Sequence, residues 1–130
     1  TAPTPAFVWS IADLLRGPYL PKEYGQVILP FTVLARLDAV PDTRLTKAAG
    51  ANFYNTSRYT LHNLGDPDQL AANLKDLLDG FNPDTREIFE KLNAYDVIDR
   101  LDSHNLLAHV TKAFTALDVH PDRVSNTDMG

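Results

Sequence analysis

The chain has 130 residues, of which 44% are hydrophobic and none is cysteine. This composition fits one domain with a single core, and it excludes disulfides, thiolate metal sites and cysteine nucleophiles. No stretch approaches the roughly 20 apolar residues that a membrane span requires. No secretion signal opens the chain, so we expect a cytoplasmic protein. The net charge of −5 at pH 7 disfavours a broad nucleic-acid-binding surface, so any DNA contact should be local and protein partners are expected.

The first segment predicts a helix. Thr4 suits the N-cap and Pro5 suits the first helical position, while Gly17 and Pro18 are expected to end the helix. The apolar residues of its predicted inner face are Phe7, Ile11, Leu14 and Leu15.

A long apolar run predicts a second helix from Glu23 to about Val40, because the run is too long for a strand and its periodicity is helical. Pro30 lies inside it. A proline in an exposed helix interior costs roughly 3 kcal/mol, so Pro30 should mark either a kink or a helix start. We expect a kink, because the pattern continues on both sides. Residues 41–62 are rich in turn formers and predict an irregular loop or a short hairpin.

Asp66, Pro67 and Gln69 match the N-cap, N1 and N3 positions of a third helix that Gly80 should end. Its predicted inner face consists of Leu70, Leu74, Leu77 and Leu78.

Asn82 and Pro83 predict the start of a fourth helix, which ends near Asn93. Its predicted inward residues are Ile88, Phe89 and Leu92. A short turn should follow through Val97, Ile98 and Leu101.

Asp102 or Ser103 is expected to cap the last helix, which must end before His120 and Pro121. Its predicted inward residues are Leu106, Leu107, Val110, Ala113, Phe114 and Leu117. The prediction is therefore an all-α bundle of about five helices, one of them kinked by proline.

The sequence contains no pattern for nucleotide binding. The glycines, at positions 17, 25, 50, 65, 80 and 130, are too far apart to form a phosphate-binding loop. Residues 81–84 (FNPD) partly match the Asn-Pro-Pro-aromatic tetrad with which amino-methyltransferases hold the target amine. The third and fourth positions differ, and a helix start at Asn82 and Pro83 explains the segment better.

Metal and acid–base sites are also not predicted. His104 and His109 are five residues apart and cannot converge on a metal from one helical face. Asp96, Asp99 and Asp102 share a face at i, i+3, i+6 spacing, which is compatible with a cation or acid–base site, but solvation and pairing with Arg100 explain them more simply. We predict no catalytic, cofactor-binding or metal-binding residue.

The candidate contact residues are Tyr54, Asn55, Thr56 and Arg58, which lie together in the predicted irregular segment. Binding residues concentrate on such loops, and Tyr and Arg often anchor interfaces. In the structural alternative, Phe53 and Tyr59 plug the bundle. Asn55, Thr56 and Ser57 then form an Asx- or ST-type turn.

The last residues predict a fragment of a longer protein. Ser125 lies three residues before Asp128, which is the spacing of a helix N-cap and an acidic N3 residue. The helix that they would start is absent.

Several blocks, in this order, resemble the N-terminal helical domain of the modification (M) subunit of type I restriction-modification DNA methyltransferases. They are residues 7–17 (FVWSIADLLRG), 23–38 (EYGQVILPFTVLARLD), 53–57 (FYNTS), 80–83 (GFNP), 88–91 (IFEK) and 120–126 (HPDRVSN). The resemblance departs at one point, because the family usually has a longer charged helical stretch between the second and third blocks. Either this member is shortened or residues between about Arg44 and Lys47 are missing from the sequence.

The resemblance implies a parent enzyme that transfers a methyl group from S-adenosylmethionine to adenine N6 at a specific DNA site. The catalytic, cofactor-binding domain is expected after residue 130, so residues 1–130 would be a non-catalytic assembly and DNA-clamping domain without a cofactor of its own. Its implied partners are the catalytic domain, a specificity subunit, a second M subunit, a restriction subunit in some assemblies, and DNA. The alternative is a free-standing helical adaptor or regulator that shares only the scaffold.

Overall fold

Six α-helices and two short 3-10 turns form the regular structure of residues 4–38 and 54–116, the residues that this computed structural model describes. The helices are α1 (Pro5–Leu15), α2 (Tyr24–Asp38), α3 (Leu70–Asp79), α4 (Pro83–Lys91), α5 (Ala94–Ser103) and α6 (Leu107–Ala116). Isolated backbone bridges occur, but this part of the chain contains no strand or sheet. The predicted all-α class is confirmed. The predictions for Val40, residues 41–53, Leu117 and residues 120–128 lie outside the described residues.

The predicted signals at the start of the chain are confirmed in α1. The Thr4 hydroxyl accepts a hydrogen bond from the Phe7 backbone N–H at 3.2 Å, and Pro5 occupies the first helical position. The helix ends at Leu15, and Gly17 then adopts a left-handed φ of 107°, which glycine accommodates at little cost.

Helix α2 follows a 3-10 turn, Pro21–Glu23, and continues through Pro30. Pro30 is therefore not a helix start, which was one of the two alternatives from the sequence. The Glu23 carboxylate accepts the Leu20 backbone N–H at 2.8 Å, so an acidic side chain satisfies one of the free amides at this end.

Helix α3 begins as its capping residues predict, but α4 requires a correction. The Asp66 carboxylate accepts the Asp68 N–H at 2.9 Å just before the 3-10 turn Pro67–Gln69. In α4, Phe89 is fully buried, whereas Ile88, predicted to face inward, is 47% exposed. Adjacent helical residues are about 100° apart, so the face that buries Phe89 turns Ile88 away from the core.

The predicted short turn near residues 97–101 is wrong, because this segment is the full helix α5. Its buried residues are Ala94, Ile98 and Leu101, which follow the i, i+4, i+7 spacing of one face. The helix begins directly after Asn93, which adopts a left-handed φ of 56°. Asparagine tolerates this conformation, so α4 and α5 are separated without a glycine signal in the sequence.

Asp102 and Ser103 do not cap the last helix, because both lie within α5. Asn105 is left-handed, with a φ of 58°. The Leu106 N–H reaches the Leu101 carbonyl at 2.9 Å and the Asn105 N–H reaches the Asp102 carbonyl at 3.1 Å. These two bonds form a Schellman motif, which ends α5 so that α6 can begin at Leu107.

The core lies between α6 and the helices that pack on it, α1, α2, α3 and α5. Phe114 is 1% exposed, and its ring centroid lies 4.9 Å from that of Phe7 and 5.4 Å from that of Phe31. A second aromatic pair, Phe81 and Phe89, stacks at 5.4 Å where α4 closes the bundle. Aromatic pairs at these separations add to the stabilisation that burial provides.

Candidate contact site

Residues 54–59, which we call the contact loop, pair with the connection between α3 and α4. The Tyr54 carbonyl accepts the Asn82 N–H at 3.1 Å, and the Gly80 carbonyl accepts the Thr56 N–H at 2.9 Å. The Asn82 side-chain oxygen accepts the Tyr54 N–H at 3.0 Å. Residues 54–57 and 80–83, which belong to two of the sequence blocks that carry the family resemblance, therefore meet in space and support each other.

Asn55 organises the loop from inside. It is 6% exposed, its side-chain oxygen accepts the Ser57 N–H at 2.7 Å, and its side-chain amide donates to the Leu77 carbonyl at 2.9 Å. The Ser57 hydroxyl accepts the Tyr59 N–H at 3.1 Å. Consecutive Asx- and ST-type turns thus supply the loop amides with acceptors, as the structural alternative predicted.

Gly80 allows the loop to approach α3 this closely. A Cβ at this position would lie 2.4 Å from the Asn55 side-chain oxygen and 2.6 Å from the Ser57 backbone nitrogen. Gly80 itself has a helical φ of −76°. Its role is therefore the close approach of two segments and not an unusual backbone conformation.

The predicted contact residues have different environments. Asn55 is buried, and both ends of its side-chain amide bond within the chain. Thr56 is exposed and its hydroxyl donates to the Gly80 carbonyl at 3.3 Å, while Tyr54 is half-buried. Arg58 is exposed. A contact role for these residues stays a prediction, and Arg58 has the most accessible charge among them.

The Arg58 guanidinium is held over its neighbour Tyr59. It donates to the Tyr59 hydroxyl at 2.9 Å, and its central carbon lies 5.0 Å from the ring centroid. Tyr59 is half-buried and packs against the core. Within residues 4–38 and 54–116, no carboxylate pairs with Arg58. The loop thus presents an oriented positive charge that no acidic group in this part of the chain neutralises.

The segment after the contact loop is anchored to α2 by Asp38, which the sequence analysis did not single out. The Asp38 carboxylate accepts the Leu61 N–H at 3.0 Å and contacts His62 Nδ1 at 3.1 Å. His62 Nε2 lies 3.1 Å from the Thr115 carbonyl at the end of α6. A negative charge at a helix C-terminus interacts unfavourably with the helix dipole. An aspartate at this position in the sequence therefore indicated that Asp38 has a specific partner.

Arg100 does not pair with the neighbouring aspartates, contrary to the sequence interpretation. Its guanidinium bonds to Glu23, 77 residues away in the chain, at 2.8 Å, while Asp99 pairs with Lys75. The Arg100 hydrogen bond and the Leu20 N–H lower the pKa of Glu23 to about 2. The described part of the chain contains no group of three or more metal-ligating side chains.

None of the helices in the described ranges is long and apolar enough to cross a membrane. Comparison with curated proteins and with solved structures gave no match. Comparison with protein families matched the HsdM N-terminal domain over residues 4–114. This range contains the contact loop, its supporting connection at Gly80 and Asn82, and nearly all of the six helices. The chain therefore belongs to the HsdM N-terminal domain family, the N-terminal domains of type I restriction-modification M subunits.

Proposed function

We propose that this domain is a non-catalytic assembly and DNA-clamping part of a site-specific DNA-adenine N6-methyltransferase. The observation that carries the proposal is Arg58, an exposed guanidinium fixed on Tyr59 without an acidic partner in residues 4–38 and 54–116. The planar fork of arginine matches phosphate and carboxylate groups. Because the net charge is −5, a contact with DNA depends on local charges of this kind and not on the average field of the domain.

The hydrogen bonds that hold the contact loop support the same proposal. A side chain that is already oriented loses less conformational entropy when it binds. Arg58 follows the two turns built by Asn55 and Ser57, and the loop is bonded to Gly80 and Asn82. We expect Tyr54 and Thr56 to lie at the edge of the contact and Asn55 to position it.

We expect S-adenosylmethionine to be bound by the catalytic domain of the parent enzyme, because the residues described here do not fit this cofactor. A cofactor site of this type needs a glycine-rich loop that approaches the ligand. Gly80 instead packs against Asn55 and Ser57, and Gly17 and Gly65 lie in separate turns. The expected protein partners remain the catalytic domain, the specificity subunit, a second M subunit and, in some assemblies, the restriction subunit. We expect the assembly to act in the cytoplasm.

The test compares two exposed arginines in the assembled methyltransferase. Arg58→Ala removes the uncompensated charge, whereas the control Arg16→Ala removes a charge that pairs with Asp13 at 2.8 Å. If Arg58 binds a phosphate, its replacement should weaken DNA binding and reduce the slope of log K against log salt by about one. The control should have little effect on either quantity.

The same variants separate a DNA contact from a subunit contact. If Arg58 binds a carboxylate of another subunit, Arg58→Ala should lower the fraction of assembled complex measured by gel filtration. Wild-type assembly, DNA affinity and methylation rate in the Tyr54→Ala, Arg58→Ala double variant would refute the contact role. The free-standing adaptor is the weaker alternative, because the family match concerns a domain of M subunits.

A further inference from the structure

A polar cleft of about 250 Å³ lies between the start of α2 and helix α5, and none of its lining residues belongs to the contact loop. Its apolar walls are Tyr19, Val27 and Val97. Small-molecule sites usually occupy about 300–1,000 Å³, so the cleft suits one side chain better than a nucleotide.

Two of the charged residues in the cleft, Arg100 and Glu23, neutralise each other. The guanidinium bonds to both Glu23 oxygens, at 2.8 and 3.3 Å, and also donates to the Pro18 carbonyl at 3.4 Å. It lies 4.1 Å above the Tyr19 ring. Because Arg100 has these partners on its edges and on one face, it is poorly placed to receive an anion.

The polar groups that stay available are Asp96, Gln26 and Asn93. All three are exposed at the cleft, and within the described ranges their side chains make no hydrogen bond or ion pair. With Glu23 and Arg100 cancelling, Asp96 gives the cleft one unbalanced negative charge. The two amide groups add oxygen acceptors to the lining of the same cleft.

We propose that this cleft receives a single lysine or arginine side chain from a partner protein. Such a side chain has an apolar stem, which would pack mainly on half-buried Val97, and a cationic head, which would reach Asp96. A carboxylate would meet the unbalanced charge of Asp96 and find Arg100 occupied. The proposal does not depend on the contact role of Arg58, so either of the two proposals can fail without the other.

The direct test uses acetyl-arginine amide as a probe and acetyl-glutamate amide as its opposite-charge control. In ¹⁵N spectra of the 130-residue chain, the arginine probe should shift the signals of Gln26, Asn93 and Asp96 in a saturable way. Because Asp96 is exposed, solvent screens its ion pair, and Asp96→Asn should weaken this binding about two- to fivefold. The absence of saturable shifts, or equal shifts with the glutamate probe, would overturn the proposal.

Asp84→Asn is the matched control, because Asp84 is also an exposed acidic residue in the first turn of a helix but lies outside the cleft. Both substitutions should change the helix-dipole interaction similarly, and only Asp96→Asn should reduce probe binding. In the assembled methyltransferase, Asp96→Lys should lower the assembled fraction whereas Asp84→Lys should not. Equal assembly of the two charge-reversal variants would show that no partner side chain uses the cleft.

Discussion

Replacing Gly80 by alanine tests whether the contact loop depends on its close approach to α3. The added Cβ would lie 2.4 Å from the Asn55 side-chain oxygen and 2.6 Å from the Ser57 nitrogen. Carbon atoms in contact prefer separations of about 3.5–4.0 Å, so the loop must move outward. Rotation of one flexible side chain does not relieve the overlap, because Ser57 contributes a backbone atom.

The expected loss follows from the bonds that this movement breaks. Three hydrogen bonds tie the loop to the end of α3: the Asn55 side-chain amide donates to the Leu77 carbonyl, and the Thr56 N–H and hydroxyl both donate to the Gly80 carbonyl. At about 0.5–1.5 kcal/mol for each bond, their loss should lower the free energy of unfolding by about 2–4 kcal/mol. Alanine offsets about 0.4–1 kcal/mol by reducing the entropy of the unfolded chain, since Gly80 has helical φ and ψ angles.

Urea unfolding of the 130-residue chain, followed by circular dichroism, measures this difference. Gly25→Ala is the control, because a Cβ on Gly25 has no neighbour within 4 Å and the residue lies in helix α2. It should leave stability unchanged or raise it by about 0.5–1 kcal/mol. If Gly80→Ala is as stable as Gly25→Ala, the loop does not depend on the close approach.

Three further predictions concern the core, the anchor and the ion pair. Phe89→Ala should lower the free energy of unfolding by about 3–5 kcal/mol, whereas exposed Ile88→Ala should change it by about 0.5 kcal/mol or less; similar urea midpoints would contradict the orientation of α4. Asp38→Ala should leave the Leu61 N–H without its acceptor. This change should lower the free energy of unfolding by about 1–3 kcal/mol and should appear as faster hydrogen exchange at the Leu61 amide. Since Arg100 lowers the pKa of Glu23 to about 2, the pair stabilises the fold above the unfolded pKa and is lost as pH falls from about 4.3 towards 2. Wild type should therefore lose more stability over this window than Glu23→Gln, and parallel pH profiles would exclude the linkage.

The helix starts were predictable because their signals are local. Thr4 and Asp66 each place a side-chain oxygen within reach of amides in the same turn, so a few neighbouring residues determine the geometry. The two left-handed asparagines that bound α5, Asn93 and Asn105, were harder to recognise. Asparagine is common in many kinds of loop, and only its φ angle shows that it separates two helices.

The contact loop was predictable in its turn chemistry but not in its partners. Asn55 and Ser57 supply acceptors to amides two residues away, which is a local pattern that the sequence contains. Gly80 and Asp38 act on segments more than 20 residues away in the chain. Such long-range pairs have no spacing rule, so a single sequence cannot assign them.

The structural and contact hypotheses for this loop are compatible, because different residues would carry them. Asn55 is buried and holds the turn, while Arg58 is exposed and held only by Tyr59 and the turn before it. An Asn55 variant should therefore lose stability and any contact function together, since the loop that orients Arg58 would no longer be fixed. An Arg58 variant should lose only the contact. Reduced DNA binding in an Asn55 variant would thus say nothing about whether Asn55 touches DNA, and the contact hypothesis depends on Arg58 variants that melt like the wild type.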